Sequence, residues 1–213
     1  LGSEEKGGDA EERKSVFHQA SGNAFLRSGT LTAHMVSGLL GSGHGHISPL
    51  HVDIAIGDRV IVTDAGRFTY TDTAEREMLK DAASHNVFML DGHFPEKASG
   101  SWSYSGIFEK TLSASLGEGG YDAASGMYFG YLSSGLVERR KTLRISDKIV
   151  VVIDEALGDE EKEHDYRAFW HMHPEAVISD DMSIRCGDSS IYVSTTAESR
   201  GVDKYSYSPV YNV

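Results

Sequence analysis

The feature that most constrains this chain is a strict two-residue alternation, Leu50, Val52, Ile54 and Ile56, with His51, Asp53 and Ala55 between them. That period places apolar groups on one face of a β-strand and polar groups on the other, which a helix cannot do. Gly57-Asp58 then offers a tight turn, and residues 59–63 return with Val60, Ile61 and Val62, so the unit reads as a hairpin. A second hairpin is expected from residues 136–145, turning at Ser146-Asp147 into 148–154, with the run Ile149-Val150-Val151-Val152-Ile153 fully buried. A third runs through residues 183–186, Gly187-Asp188 and 191–195. Weaker strand patterns cover residues 24–27, 31–36, 87–90, 128–132 and 166–171.

One segment reads as a helix: Asp72 as cap, Glu75 three residues on as in a capping box, then good helix formers over residues 74–81. Short strands, a single helix, 23 glycines and no internal repeat predict an all-β fold, an antiparallel β-sandwich with one short helix, over residues 15–213. Residues 1–14 read as a polar linker or join. Residues 92–126, rich in Gly and Ser and carrying Trp102 and Tyr104, read as a long functional loop or irregular edge structure.

Charge and composition narrow the function. A formal net charge of −12 argues against nucleic acid as a partner, and means that a polyanionic substrate needs a local basic patch. No apolar run approaches the length of a membrane span. Cys186 is the sole cysteine, so an internal disulfide and a thiolate-rich zinc cluster are both excluded, and a metal site must use imidazole and carboxylate.

The segment Gly41-Ser42-Gly43-His44-Gly45-His46 carries the strongest chemical signal. Two histidines at i and i+2 in extended backbone face the same way and can reach one site. Asp64 closes the first hairpin and His85 precedes the strand over residues 87–90. Two imidazoles and a carboxylate suit Zn²⁺ or a similar divalent ion. Taken singly, the pair reads more readily as surface histidines on a flexible loop, Asp64 as a strand-end turn residue, and His85 as a cap or a satisfied buried histidine.

Other patterns have blander readings. His171 and His173 form a second i, i+2 pair, read as one buried histidine and one at a strand end before Pro174. Trp102 and Tyr104 fit packing or sugar stacking. Glu138-Arg139-Arg140-Lys141 could meet an anionic glycan, but reads first as the solvated face of a strand.

The order Gly-His-Gly-His over residues 43–46, a hairpin ending in Asp64-Ala65-Gly66, then Tyr70, Arg76 on the helix and His85-Asn86 before a strand resembles the heparinase II/III-like polysaccharide lyases. So do Phe25-Leu26-Arg27-Ser28-Gly29, Arg139-Arg140, Phe169-Trp170-His171 and Tyr207-Ser208-Pro209-Val210-Tyr211. The resemblance covers nearly all of the chain after Ser15. It implies that His44 is catalytic, that His46, Asp64 and His85 bind zinc or another divalent ion such as Ca²⁺ or Mn²⁺, and that Tyr70 and Arg76 contact substrate. It casts Asn86 as ordering the backbone beside His85. One departure is Ser48, where relatives often carry an Asp.

The implied reaction is β-elimination on a uronic-acid-containing polysaccharide, so the partner is an acidic poly- or oligosaccharide. The family's N-terminal α/α-toroid is not in these 213 residues. The chain is therefore expected to be one domain of a larger enzyme, completed by the missing helical domain of the same parent protein, and to bind metal with little activity alone. A periplasmic or secreted location is implied by resemblance only. Two rival classes are a noncatalytic carbohydrate-binding sandwich with a structural metal and an unrelated, self-contained His/Asp metal enzyme.

Overall fold

Alternation along the chain resolves into two facing antiparallel sheets. The computed structural model describes residues 14–40, 45–158 and 162–209. Most of the polar linker reading, residues 1–13, lies outside them. The first sheet has five strands in chain order: β1 (Val16–His18), β2 (Asn23–Ser28), β3 (Leu31–Val36), β4 (His51–Ile56) and β5 (Arg59–Val62). A helix, α1 (Ala74–Lys80), and a short strand, β6 (Phe88–Leu90), follow.

Two small strands, β7 (Lys97–Ala98) and β8 (Tyr104–Ser105), pair with each other inside the segment read as a loop. The second sheet is a meander of β9 (Lys110–Ser115), β10 (Asp122–Tyr128), β11 (Leu136–Arg144) and β12 (Val150–Gly158). β13 (Tyr166–Ala168) pairs with β6, and β14 (Val177–Ile178), β15 (Ser183–Cys186) and β16 (Ser189–Tyr192) close the chain as a small sheet.

The core between the sheets is assembled from their alternate residues. Ala24, Leu26, Ala33, Met35, Leu50 and Val52 face Ala124, Tyr128 and Leu136, and Phe88 and Leu90 close one end. Burial on this scale, at about 25 cal/mol per Å² of apolar surface, is the main force holding the layers together. The all-β sandwich with one α-helix is as the alternation dictates. No helix among the described residues is long and apolar enough to cross a membrane.

Several local expectations fail for physical reasons. The apolar run at residues 149–153 is not fully buried: Ile149, Val151 and Ile153 are 51%, 38% and 40% exposed. β12 lies in one layer of a two-layer sandwich, where each sheet has a single inner face, so only alternate residues of the run meet the core. The strand expected at 128–132 instead ends at Tyr128, and Leu132–Ser134 form a 3₁₀ turn. The helix is capped one residue later than expected, by Thr73, whose Oγ1 accepts the Arg76 N–H at 3.1 Å. The charged run at 138–141 is a solvated face only at alternate positions. Arg139 and Lys141 turn out to Glu155, whereas Glu138 and Arg140 are fully buried.

Arg140 bolts the layers together. Its Nε and Nη2 donate to the two carboxylate oxygens of Asp154 at 2.6 and 2.9 Å, and its Nη1 donates to the carbonyls of Leu50 and Asn86 at 3.0 and 2.6 Å. Glu138, two residues away on the same face, has no hydrogen-bond partner on either oxygen. Burial pushes its carboxyl well above the usual range, against the lowering influence of Arg140.

Candidate metal centre

The first hairpin, the helix and β6 converge at one end of the five-stranded sheet. Asp64 follows β5, His46 lies in the segment leading to β4, and His85 sits between α1 and β6. One donor atom from each of His46, Asp64 and His85 comes within 4.8 Å of the other two. The structure thus brings the three together from positions far apart in sequence. His44 lies outside the described residues, as do Gly41, Ser42 and Gly43.

Each of the three is held by identifiable partners. His85 is fully buried and its Nδ1 lies 2.6 Å from Asp64 Oδ2, which fixes the proton on Nδ1. Its Nε2 is buried and without a hydrogen-bond partner. Burial alone would raise the Asp64 carboxyl. The hydrogen bond and charge of His85, the charge of His51 and the Gly66 N–H together hold it well below the usual carboxylate range instead. That Gly66 N–H donates to Asp64 Oδ1 at 2.7 Å.

His46 accepts at Nε2 from Arg76 Nη1 at 2.9 Å. Burial, and then the charge of His85, push its imidazole down to about 3, so it is neutral at ordinary pH. Two imidazoles and a carboxylate with donor atoms this close are a set that fits a borderline divalent ion, which would take the place of the proton between His85 Nδ1 and Asp64 Oδ2.

Sequence reasoning missed His51. It read as the outward face of β4, but His51 is 3% exposed and lies against the cluster. Its Nδ1 accepts the Asn86 N–H at 3.0 Å, so its proton resides on Nε2. That N–H points to Asp53 Oδ1 at 2.8 Å, with Asp64 Oδ2 3.8 Å away. Only the two-residue spacing to Asp53 hinted at this pairing.

Asn86 does more than order its own neighbourhood. Its amide Nδ2 donates to the Val52 and Thr63 carbonyls, at 2.9 and 3.0 Å, and its Oδ1 accepts from the His171 N–H at 2.6 Å. His171 is the buried member of the second histidine pair, its imidazole lowered to about 4 by burial and then by His85. His173 falls instead beside Glu175 and Cys186. The two histidines therefore do not share a site.

Arg76 meets the cluster at His46, and Tyr70 is an electrostatic neighbour of Arg76. Arg76 is fully buried, and its Nε and Nη2 have no hydrogen-bond partner. Tyr70 stacks on Trp102, ring centroids 5.5 Å apart at 7°, and the Arg67 guanidinium lies 3.8 Å from the Tyr70 ring centre.

A family model described as Heparinase II/III-like, C-terminal, matches residues 10–212. Among solved structures, the heparan sulfate lyase HepC from Pedobacter heparinus superposes with a TM-score of 0.65 at 20% identity, over 84% of this chain and 28% of that one. A heparinase III gene product gives a TM-score of 0.64 at 18% identity, over 84% of this chain and 27% of the other. The likeness is one of fold, and this chain spans less than a third of the length of either protein. No curated protein matches it.

Proposed function

This chain belongs to the heparinase II/III-like family, matching its C-terminal part, and on that premise we propose that it is the metal-binding β-sandwich of a polysaccharide lyase. In this reading the enzyme cleaves a uronic-acid-containing polysaccharide, of the heparin, heparan sulfate or alginate kind, by β-elimination. The observation that carries it is the convergence of His46, Asp64 and His85, with one donor atom of each within 4.8 Å of the other two.

Elimination removes the proton on C5 of the uronate and breaks the bond from C4 to the glycosidic oxygen. That proton is weakly acidic until positive charge offsets the adjacent carboxylate and the enolate that develops from it. His44, two residues from His46, is the base of the proposal, since a neutral imidazole takes up protons near neutral pH. Arg76 supplies fixed positive charge for the carboxylate, with Tyr70 beside it.

His46, Asp64 and His85 would hold Zn²⁺, two imidazoles favouring it over Ca²⁺ or Mn²⁺. When bound, the ion supplies a positive charge and a rigid anchor for the segment that carries His44. The proton for the leaving oxygen would come from a helical domain of the same parent protein.

Two measurements test this. Equilibrium dialysis against Zn²⁺ should show one bound ion, lost in Asp64→Asn and His85→Ala. On a uronate panel, ultraviolet absorbance of the unsaturated product should appear with the parent protein and vanish with His44→Ala. Undiminished turnover by His44→Ala would sink the assignment of the base. Robust turnover by this chain alone would remove the need for a helical domain.

A further inference from the structure

A second set of donors shares no residue with the His46–Asp64–His85 cluster. One atom each of His173, Glu175 and Cys186 comes within 4.8 Å of the other two. The His173 N–H donates to the Ile61 carbonyl at 2.8 Å, which seats the segment carrying His173 and Glu175 along β5. Cys186 ends β15 and is fully buried in the apolar cluster of Ile61 and Ile184. A free cysteine in such surroundings is ordinarily a small hydrophobe. Here its sulfur is met by a charge.

Arg59, at the start of β5, passes over Gly187, where a Cβ would meet its Cζ at 3.2 Å. Its Nη1 donates both to Glu175 Oε2 at 2.8 Å and to Cys186 Sγ at 3.6 Å. A cation is therefore already drawn to two of the three donors. Its hold is weak. The Arg59 and Glu175 side chains are 41% and 69% exposed, and an ion pair so open changes an equilibrium by a factor of about two to five. Thiolate, imidazole and carboxylate together suit zinc far better than they suit a guanidinium.

We propose that His173, Glu175 and Cys186 form a second metal centre, for Zn²⁺, with Arg59 as the cation that holds its place until the ion binds. Tetrahedral zinc sets such donors about 3.5 Å apart, so a separation of up to 4.8 Å closes by roughly 1 Å, a movement open to the exposed Glu175. As the S–Zn bond forms, the Cys186 thiol loses its proton to water and Arg59 swings out to solvent. The Glu175 N–H, which donates to His173 Nδ1 at 3.2 Å, gives up that bond whichever imidazole nitrogen takes the ion. These losses make the second centre the weaker one, so it fills after His46, Asp64 and His85 have taken their ion. Once filled, it staples β15 to the segment along β5. The proposal does not depend on the polysaccharide reading.

The test is titration of the reduced chain with Co²⁺, then Zn²⁺, followed by absorbance. A thiolate bound to Co²⁺ gives a near-ultraviolet charge-transfer band, which the sulfur-free His46–Asp64–His85 cluster cannot give. The band should grow in with a second Co²⁺ per chain and disappear as Zn²⁺ replaces it. Cys186→Ser should abolish it, and Glu175→Gln should weaken the binding it reports about tenfold or more. Arg59→Ala should tighten that binding about two- to fivefold. Asp64→Asn, which removes the first centre, should keep the band. Urea midpoints check that each variant folds, and the exposed Glu175→Gln keeps the test decisive if Cys186→Ser does not. Absence of the band at saturating Co²⁺ overturns the centre, and unchanged affinity in Glu175→Gln overturns the donor set. Weaker binding in Arg59→Ala overturns the placeholder role, and loss of the band in Asp64→Asn overturns the independence of the two centres.

Discussion

Replacing Arg140 by methionine should cost more stability than any apolar substitution of similar size in this core. The side chain makes four hydrogen bonds while fully buried, two to Asp154 and one each to the Leu50 and Asn86 carbonyls. Methionine fills much of the same volume but leaves Asp154 uncompensated and two buried carbonyls without a donor. Breaking a buried ion pair by removing one partner costs about 3–5 kcal/mol. Each orphaned carbonyl adds roughly 1 kcal/mol or more where water cannot replace the donor. Asp154 keeps a side-chain exposure of 17%, so partial hydration returns some of this, and the expected net loss is about 4 kcal/mol. Urea unfolding followed by far-ultraviolet circular dichroism measures it, with the slope checked for constancy. The companion variant Arg140→Met/Asp154→Asn removes the stranded charge and should recover about 1–2 kcal/mol. A loss below about 1 kcal/mol for Arg140→Met, or no recovery in the double variant, would refute the view of Arg140 as an inter-sheet bolt.

Three further outcomes follow from the same reasoning. Glu138 is held protonated in the fold, whereas the unfolded chain ionises it near the ordinary carboxylate value of 4.5. Folding therefore loses stability as pH rises above that value, by up to about 1.4 kcal/mol per unit until the folded group itself titrates. Glu138→Gln should accordingly be more stable than wild type at pH 8 and close to it at pH 5, as read from urea midpoints at both. Gly66→Ala should destabilise by about 2–4 kcal/mol and weaken Zn²⁺ binding in dialysis, because φ is +83° and a Cβ would meet the Ser208 carbonyl oxygen at 1.9 Å. Thr73→Ala should lower stability by about 1 kcal/mol through loss of the helix cap, measurable as a small fall in Tm with Zn²⁺ binding unchanged.

The sandwich was legible because period-two patterning is written by burial itself. Leu31–Val36 and the first hairpin alternate as their faces do. The convergence of His46, Asp64 and His85 could be anticipated only through resemblance, since no local rule joins residues so far apart. What sequence could not show were the places where pairing overrides polarity. Glu138 and Arg140 look solvated because charge usually is, and nothing local announces that Asp154 on the neighbouring strand neutralises Arg140. The run at 149–153 looks buried because an apolar run cannot show whether its sheet is covered on one face or on both. His51 looked outward for a related reason. Its face of β4 is covered by the His85-Asn86 segment, which enters from another part of the chain.

The single amide of Asn86 ties together the carbonyls of Val52 and Thr63 and the N–H of His171, partners that lie 34, 23 and 85 residues away in sequence. The full set of tethers is complete only when β4, the end of β5 and the segment after β13 have all docked. The donor cluster is thus a late product of assembly, and it should open only when the whole sandwich does. Amide hydrogen exchange at His171 would report that timing: its protection should approach that of the slowest core amides and should collapse in Asn86→Ala.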